Sequence, residues 1–236
     1  MSGGEILGAQ VYRHEYKYRI SSLSAQLLSK RLGLVLRKDK NAGADGGYFI
    51  RSLYFDDIDH TAFHEKLWGT SERAKYRIRY YNYDDSYMIF EKKSKNNLYS
   101  HKQSVELSYS MTEAILKSDH ITLSRADEPL LKEYGMLCAT RLMKPHVLVD
   151  YDRIAFTYPV SNVRITLDLN VRTAPFKTDI FDDKLGTIPV FPEGEQLMEV
   201  KFNEFLPEFI RDLLYDIPKT LVANSKYTLC LSTILE

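Results

Sequence analysis

Charged residues recur at every second position in stretch after stretch of this chain, and that period dictates strands. Residues i and i+2 of a strand share a face. In 10–20, Arg13, Glu15, Lys17 and Arg19 form one face, against Tyr12, His14, Tyr16, Tyr18 and Ile20 on the other. In 73–83, Arg73, Lys75, Arg77 and Arg79 oppose Ala74, Tyr76, Ile78 and Tyr80. In 86–95, Glu91, Lys93 and Lys95 oppose Met88, Phe90 and Lys92, and in 102–109, Lys102, Ser104 and Glu106 oppose Val105 and Leu107. In 161–172, Arg164, Thr166, Asp168, Asn170 and Arg172 oppose Val163, Ile165, Leu167, Leu169 and Val171. In 195–203, Glu195, Glu199 and Lys201 oppose Met198, Val200 and Phe202. Two further runs, 48–56 and 145–158, bring the strands to eight. The first has only Arg51 clearly charged. The second is mostly apolar but carries Tyr151 and Arg153 on one face. The 17 Tyr and 11 Phe suit strands as well.

Helical patterns fall between and after the strands. Ser21 or Ser22 caps a helix carrying Leu23, Leu27 and Leu28 toward Leu32. Thr112 caps a short helix from Glu113. Residues 127–142 place Leu130, Leu131, Tyr134, Leu137 and Leu142 roughly on one side. Pro207 opens a helix to about Tyr215, and a last helix runs from Asn224 or Ser225 to Leu235. The stretch 38–47 is a flexible loop and 173–194 is irregular. No repeat or linker interrupts the strands, so 1–236 is read as a single domain. The fold class is α+β, an eight-stranded antiparallel β-barrel with flanking helices. The helices must cover the apolar strand faces, so on closure the charged faces line the interior.

Such an interior defines its ligand. Lys plus Arg total 32 and Asp plus Glu total 32, so no bulk attraction to nucleic acid or an anionic membrane is expected. The Arg and Lys are nonetheless sorted onto the charged faces, with compensating acids expected elsewhere. A solvated sheet face would also alternate, but enclosed like charges are costly unless an anion neutralises them. A polyanion long enough to meet several strands follows, held by Arg forks and Lys point charges. The enclosed acids Glu15, Glu91 and Glu199 are candidates for a divalent cation, because Mg²⁺ takes one or two carboxylates plus substrate phosphates.

Other chemistries are excluded or weak. No G-x-x-x-x-G-K-[ST] loop and no Ser-His-Asp or Cys-His set stands out. His60, His64 and Glu65 are not in the order of a zinc helix and read as a surface helix turn. His14 lies on the apolar face as a packed histidine. Asp56, Asp57 and Asp59 read as turn residues. Cys138 and Cys230 sit among apolar residues as free thiols of a reducing compartment. The opening MSGGEILGAQ lacks a basic start, and no stretch approaches the roughly 20 apolar residues of a membrane span. A soluble, cytoplasmic protein is expected.

Motifs spread over nearly the whole chain now add a resemblance. They are Arg13-His14-Glu15-Tyr16-Lys17-Tyr18, Ser52-Leu53-Tyr54-Phe55-Asp56, Lys75-Tyr76-Arg77-Ile78-Arg79-Tyr80 and Phe90-Glu91-Lys92-Lys93-Ser94-Lys95. Val149-Asp150-Tyr151-Asp152-Arg153, Arg164-Ile165-Thr166-Leu167-Asp168, Leu197-Met198-Glu199-Val200-Lys201 and Ser225-Lys226-Tyr227 follow in order. Together they resemble the VTC domain, the polyphosphate polymerase domain of the vacuolar transporter chaperone, within the CYTH or triphosphate tunnel metalloenzyme superfamily. The resemblance implies a tunnel lined by basic residues. Within it Lys17, Arg77, Arg79, Lys93, Arg153 and Arg164 bind phosphates, and Lys102 is a looser match. Tyr151, Ser225 and Lys226 add contacts near one mouth. Arg13, Lys75, Lys95 and Lys201 share the same faces as further phosphate contacts. Glu199 is the implied ligand for Mn²⁺ or Mg²⁺. The implied reaction transfers the γ-phosphate of ATP to inorganic polyphosphate. The chain departs from the family at Ala223, where a basic residue is expected and Lys219 is the nearest candidate. Hydrolysis of a triphosphate, or polyphosphate binding without turnover, remain the alternative functions. The family polymerase works in a membrane complex, so a membrane-protein partner not encoded in this chain is a further implication.

Overall fold

The computed structural model describes residues 13–43, 46–97, 99–175, 179–223 and 225–235. Tyr12 and the start of the first predicted strand, and Asn224 as a cap, lie outside the described residues. The elements run β1 (Arg13–Ser21), α1 (Ser22–Val35), β2 (Arg37–Lys38), β3 (Tyr48–Asp56), α2 (Thr61–Leu67), β4 (Glu72–Tyr81), β5 (Asp84–Asn96) and β6 (Tyr99–Leu107). Then come α3 (Tyr109–Leu116), α4 (His120–Ser124), α5 (Pro129–Arg141), β7 (Lys144–Tyr158) and β8 (Val163–Pro175). β9 (Ile188–Pro189), β10 (Glu195–Asn203), α6 (Glu208–Tyr215), β11 (Thr220–Leu221) and α7 (Lys226–Leu235) complete the chain.

The eight long strands lie where the alternation places them, and β3 and β10 match it to the residue. β2, β9 and β11 are two-residue pairings, too short to carry a period. Ser21 caps α1 by accepting from the Ser24 N–H at 3.0 Å. The helix buries Ala25, Leu28 and Leu32, while Leu23 is 75% exposed. α3 begins before the expected Thr112 cap. Ser108 accepts from the Met111 N–H at 3.3 Å, and the Thr112 hydroxyl, a turn later, donates back to the Ser108 carbonyl at 3.0 Å. α4 was not legible, because five residues capped by Asp119 are too few for a helical period.

The residues form two compact units, each assembled from three stretches. The first takes Met1–Gly47, Arg153–Asp168 and Glu193–Ala223; the second takes Tyr48–Asp152, Leu169–Pro192 and Asn224–Glu236. β7 and β8 each supply residues to both. In the first unit, β1 pairs with β11 and β10, β10 pairs with β8, and β2 pairs with β7, all antiparallel. In the second, β3 pairs with β4, β4 with β5, β5 with β6, and β9 with β8, again antiparallel. In neither unit do the described pairs return the sheet on itself.

Helices cover apolar strand faces as the periodicity requires. In the second unit Leu53, Phe55, Tyr76, Ile78, Tyr80 and Phe90 pack with Ile115 of α3 and with Leu130, Leu131, Tyr134 and Cys138 of α5. Leu142, predicted on that side of α5, is instead its left-handed C-cap and 56% exposed. Both cysteines are buried free thiols. Among the described residues, no helix is long and apolar enough to cross a membrane.

Candidate functional site

The charged faces carry two clusters, one in each unit. In the second unit, strand register places Tyr54, Arg77, Glu91 and Ser104 in one row across β3 to β6. The Arg77 Nε donates to Glu91 at 2.6 Å and its Nη1 to the Tyr54 hydroxyl at 2.7 Å. Arg79 lies 3.8 Å from the same carboxylate, and donates to Ser52 and to the Tyr151 hydroxyl, each at 3.2 Å. Lys102 pairs with the other oxygen of Glu91. Burial pushes the Glu91 carboxyl toward its neutral form, but Arg77, Arg79 and Lys102 outweigh that and hold its pKa at about 2. Burial likewise works against the Arg77 charge, and the facing Tyr54 hydroxyl and Glu91 carboxylate more than restore it. Three cations thus meet one carboxylate.

One row further along, Lys75, Lys93 and Lys102 stand directly opposite one another on β4, β5 and β6. Like charges so placed destabilise a sheet. Beyond them Arg73 opposes Lys95. Helix α7 reaches the same face. Lys75 donates to Ser225 at 2.9 Å and its ammonium lies 4.5 Å from the Tyr227 ring centre, a cation–π contact. Lys226, 9% exposed, lies 4.8 Å from the centre of the Tyr151 ring. The helix end is fixed by Ser225, which accepts from the Thr228 N–H at 3.2 Å, and by the Tyr227 hydroxyl donating to Asp56.

In the first unit, register gives the rows Lys17–Glu199–Thr166 and Glu15–Lys201–Arg164 across β1, β10 and β8. Opposite charges therefore alternate between β1 and β10, while Lys201 faces a second cation, Arg164, on β8. Lys17 lies 3.2 Å from Glu15, and Lys201 lies 2.9 Å from Glu199 and 4.0 Å from Glu15. Arg164 pairs with Asp39, whose carboxyl stays below its usual range: burial opposes this, while the Asn41 N–H and Arg164 favour it. Arg153 is clasped by Asp168 through two bonds of 2.6 and 2.8 Å. Arg13 opposes Asn203 in the β1–β10 register.

The structure therefore brings Arg77, Arg79 and Lys102 onto Glu91, and sets Lys75 and Lys93 beside them. It also groups Glu15, Lys17, Glu199 and Lys201. The expectation that compensating acids lie away from the basic faces is corrected. Glu91 and Asp168 each neutralise an arginine there, because a guanidinium of low exposure demands a carboxylate, and Asp39, from the loop after β2, pairs with the more exposed Arg164. The partnership of Asp39 with Arg164 was invisible in sequence, since the two lie 125 positions apart. Tyr54 and Ser52 belong to the motif Ser52-Leu53-Tyr54-Phe55-Asp56, and only the register shows that they face Arg77 and Arg79. His60 and His64 do not converge. His60 packs on His146 with ring centres 4.4 Å apart, and His64 stacks on Trp68.

Divalent-cation chemistry suits one part of this surface. Glu199 and Glu15 are carboxylates on one face, and a hard cation that completes its shell with substrate oxygens needs no more than two. Among the described residues, no cluster of three or more His, Cys, Asp or Glu is placed to hold a metal on its own. Glu91 is already engaged by three cations, which makes it a counter-charge in this state.

Comparison with known proteins bears on the family and the fold. The VTC domain matches residues 12–235. A structure from Hippeastrum, described as an adenylyl cyclase with a dominant triphosphatase activity, superposes with a TM-score of 0.55 at 16% identity, covering 93% of this chain and 95% of that one. An adenylate cyclase assignment from Bacillus halodurans superposes at 0.50 and 16% identity, covering 86% and 89%. No curated protein sequence matches. At these identities the likeness is one of fold, the triphosphate tunnel fold.

Proposed function

The chain belongs to the VTC domain family, and from that premise we propose that it is a metal-dependent polyphosphate polymerase that transfers the γ-phosphate of ATP to a growing polyphosphate chain. One observation carries the reading. Lys75, Lys93 and Lys102 oppose one another directly, next to Arg77 and Arg79. An array of that kind is relieved by a ligand with several linked anionic groups.

Phosphoryl transfer needs alignment and charge neutralisation more than a protein nucleophile. Arg77 and Arg79, held by Glu91, Tyr54, Ser52 and Tyr151, present guanidinium groups in fixed orientation to the phosphoryl being transferred. Lys75, Lys93, Lys95, Lys102 and Lys226 neutralise neighbouring phosphates. The first unit carries its own set of proposed phosphate contacts, Lys17, Arg164, Lys201 and Arg13. Glu199, with Glu15, would hold Mg²⁺ or Mn²⁺, which when bound offsets charge on the phosphate oxygens. Arg153, clasped by Asp168, acts by holding its strand in place. The terminal phosphate of the growing chain is the nucleophile.

A second reading has an observation of its own. Ala223 stands where the family carries a basic residue, and Lys219 does not stand in for it. Its ammonium is tied to the Leu214, Ile217 and Tyr215 carbonyls at 2.7, 3.2 and 3.3 Å, closing the end of α6. That favours hydrolysis of a tripolyphosphate or nucleoside triphosphate, with water as the nucleophile. Incubation of the pure protein with ATP and Mn²⁺, followed by ³¹P NMR, separates the readings. Internal phosphate resonances with ADP support the polymerase. Orthophosphate without polymer establishes the hydrolase, and an unchanged ATP spectrum overturns both.

A further inference from the structure

Thr166 is fully buried, yet its hydroxyl has no hydrogen-bond partner. Buried hydroxyls are satisfied in the great majority of cases, so an orphan at a candidate site calls for a reason. Its position supplies one. Thr166 directly opposes Glu199 in the β8–β10 register and lies on the same face, between Arg164 and Asp168 on its own strand. Glu199 is itself 5% exposed and is held by Lys201 at 2.9 Å. Arg164 and Asp168 are engaged by Asp39 and Arg153. The face is therefore tied up in ion pairs around one uncommitted donor.

We propose that Thr166 is a positioning residue for Glu199. When a phosphate ligand draws Lys201 toward its oxygens, the Glu199 carboxylate loses a donor. The Thr166 hydroxyl is the neighbouring group able to replace it, and doing so fixes the orientation in which Glu199 receives a divalent cation. Groups in this supporting role are felt at the metal even though they do not touch it. Thr166 thus has a partner only in the loaded state. The inference rests on the reading of this face as a phosphate and metal site.

The test is calorimetric titration of the full chain with tripolyphosphate, with Mn²⁺ and separately with EDTA. Thr166→Val keeps the shape and removes the hydroxyl. Loss of a supporting contact of this kind costs roughly ten- to a hundredfold in affinity, and a loss in that range is expected with Mn²⁺. Binding in EDTA is expected to stay unchanged, and the melting temperature without ligand to stay level or rise, because a buried unpaired hydroxyl is gone. Thr166→Ser retains the donor and binds like wild type. The proposal is overturned if Thr166→Val binds Mn²⁺–tripolyphosphate normally, if it loses binding equally in EDTA, or if Thr166→Ser behaves like Thr166→Val. Wild-type protein that binds tripolyphosphate under neither condition would instead remove the phosphate-site reading beneath it.

Discussion

Arg51 and Asp150 show how much a single pair can organise. Both are 1% exposed, on strand faces that otherwise build the apolar core of the second unit. The Arg51 Nη2 and Nε donate to Asp150 at 2.8 and 3.0 Å, while Nη1 donates to the Ile180 and Asp182 carbonyls at 3.0 and 2.6 Å. The irregular segment after β8 is thereby anchored by a side chain of β3. Arg51→Met leaves a buried carboxylate without its cation, and breaking such a pair costs about 3–5 kcal/mol. Urea unfolding is expected to register that loss, and the double change Arg51→Met with Asp150→Leu to recover much of it. Glu199 belongs to another class. Glu199→Gln keeps the shape and removes the charge, so metal-dependent turnover should vanish while the chain still folds, with some stability lost because Lys201 is left without its counter-charge. Retained turnover in that variant excludes Glu199 as the essential ligand.

At the scale of elements, the β4–β5–β6 ladder is a cationic surface with a carboxylate built into it. The Glu91 carboxyl is lowered from 4.5 to about 2. A carboxyl whose folded value is depressed contributes stability that is fully present above its unfolded value and lost as pH falls through the folded one. The stability difference between wild type and Glu91→Gln should therefore be constant above about pH 5 and shrink as the pH falls toward 2. Denaturant midpoints across pH 2 to 7, taken as an experimental range, check this. A gap that stays constant to the acid end refutes the arrangement. The same variant separates the two roles given to Glu91. As a counter-charge, its neutralisation strengthens metal-free tripolyphosphate binding; as a metal ligand, it weakens binding with Mn²⁺.

For the whole molecule, the decisive fact is that β7 and β8 each contribute residues to both compact units. Melting one unit alone would have to fray strands the other also uses. We therefore expect a single calorimetric transition, in keeping with reading 1–236 as one domain. Tripolyphosphate that binds the folded chain raises the transition by mass action, by about 2.7 kcal/mol at a hundred times its dissociation constant. Added salt shrinks the gain by screening the charges that supply it. Two separated transitions, only one moving with ligand, would argue for independent domains.

The sequence by itself determined the strands and their two faces. An alternating pattern is local, and the pleat of a strand turns it into geometry without help from the rest of the chain. That is why β10 is legible to the residue, and why the basic character of one face could be read directly; β3, buried along its whole length, shows instead as a short apolar and aromatic run. It determined little about which acid answers which base. Asp39 meets Arg164, and Asp150 meets Arg51, across 125 and 99 positions. The orphan hydroxyl of Thr166 is equally a matter of neighbours. Strand register and loop course decide such pairings, because charge compensation acts between residues brought close in space and leaves no period in the sequence.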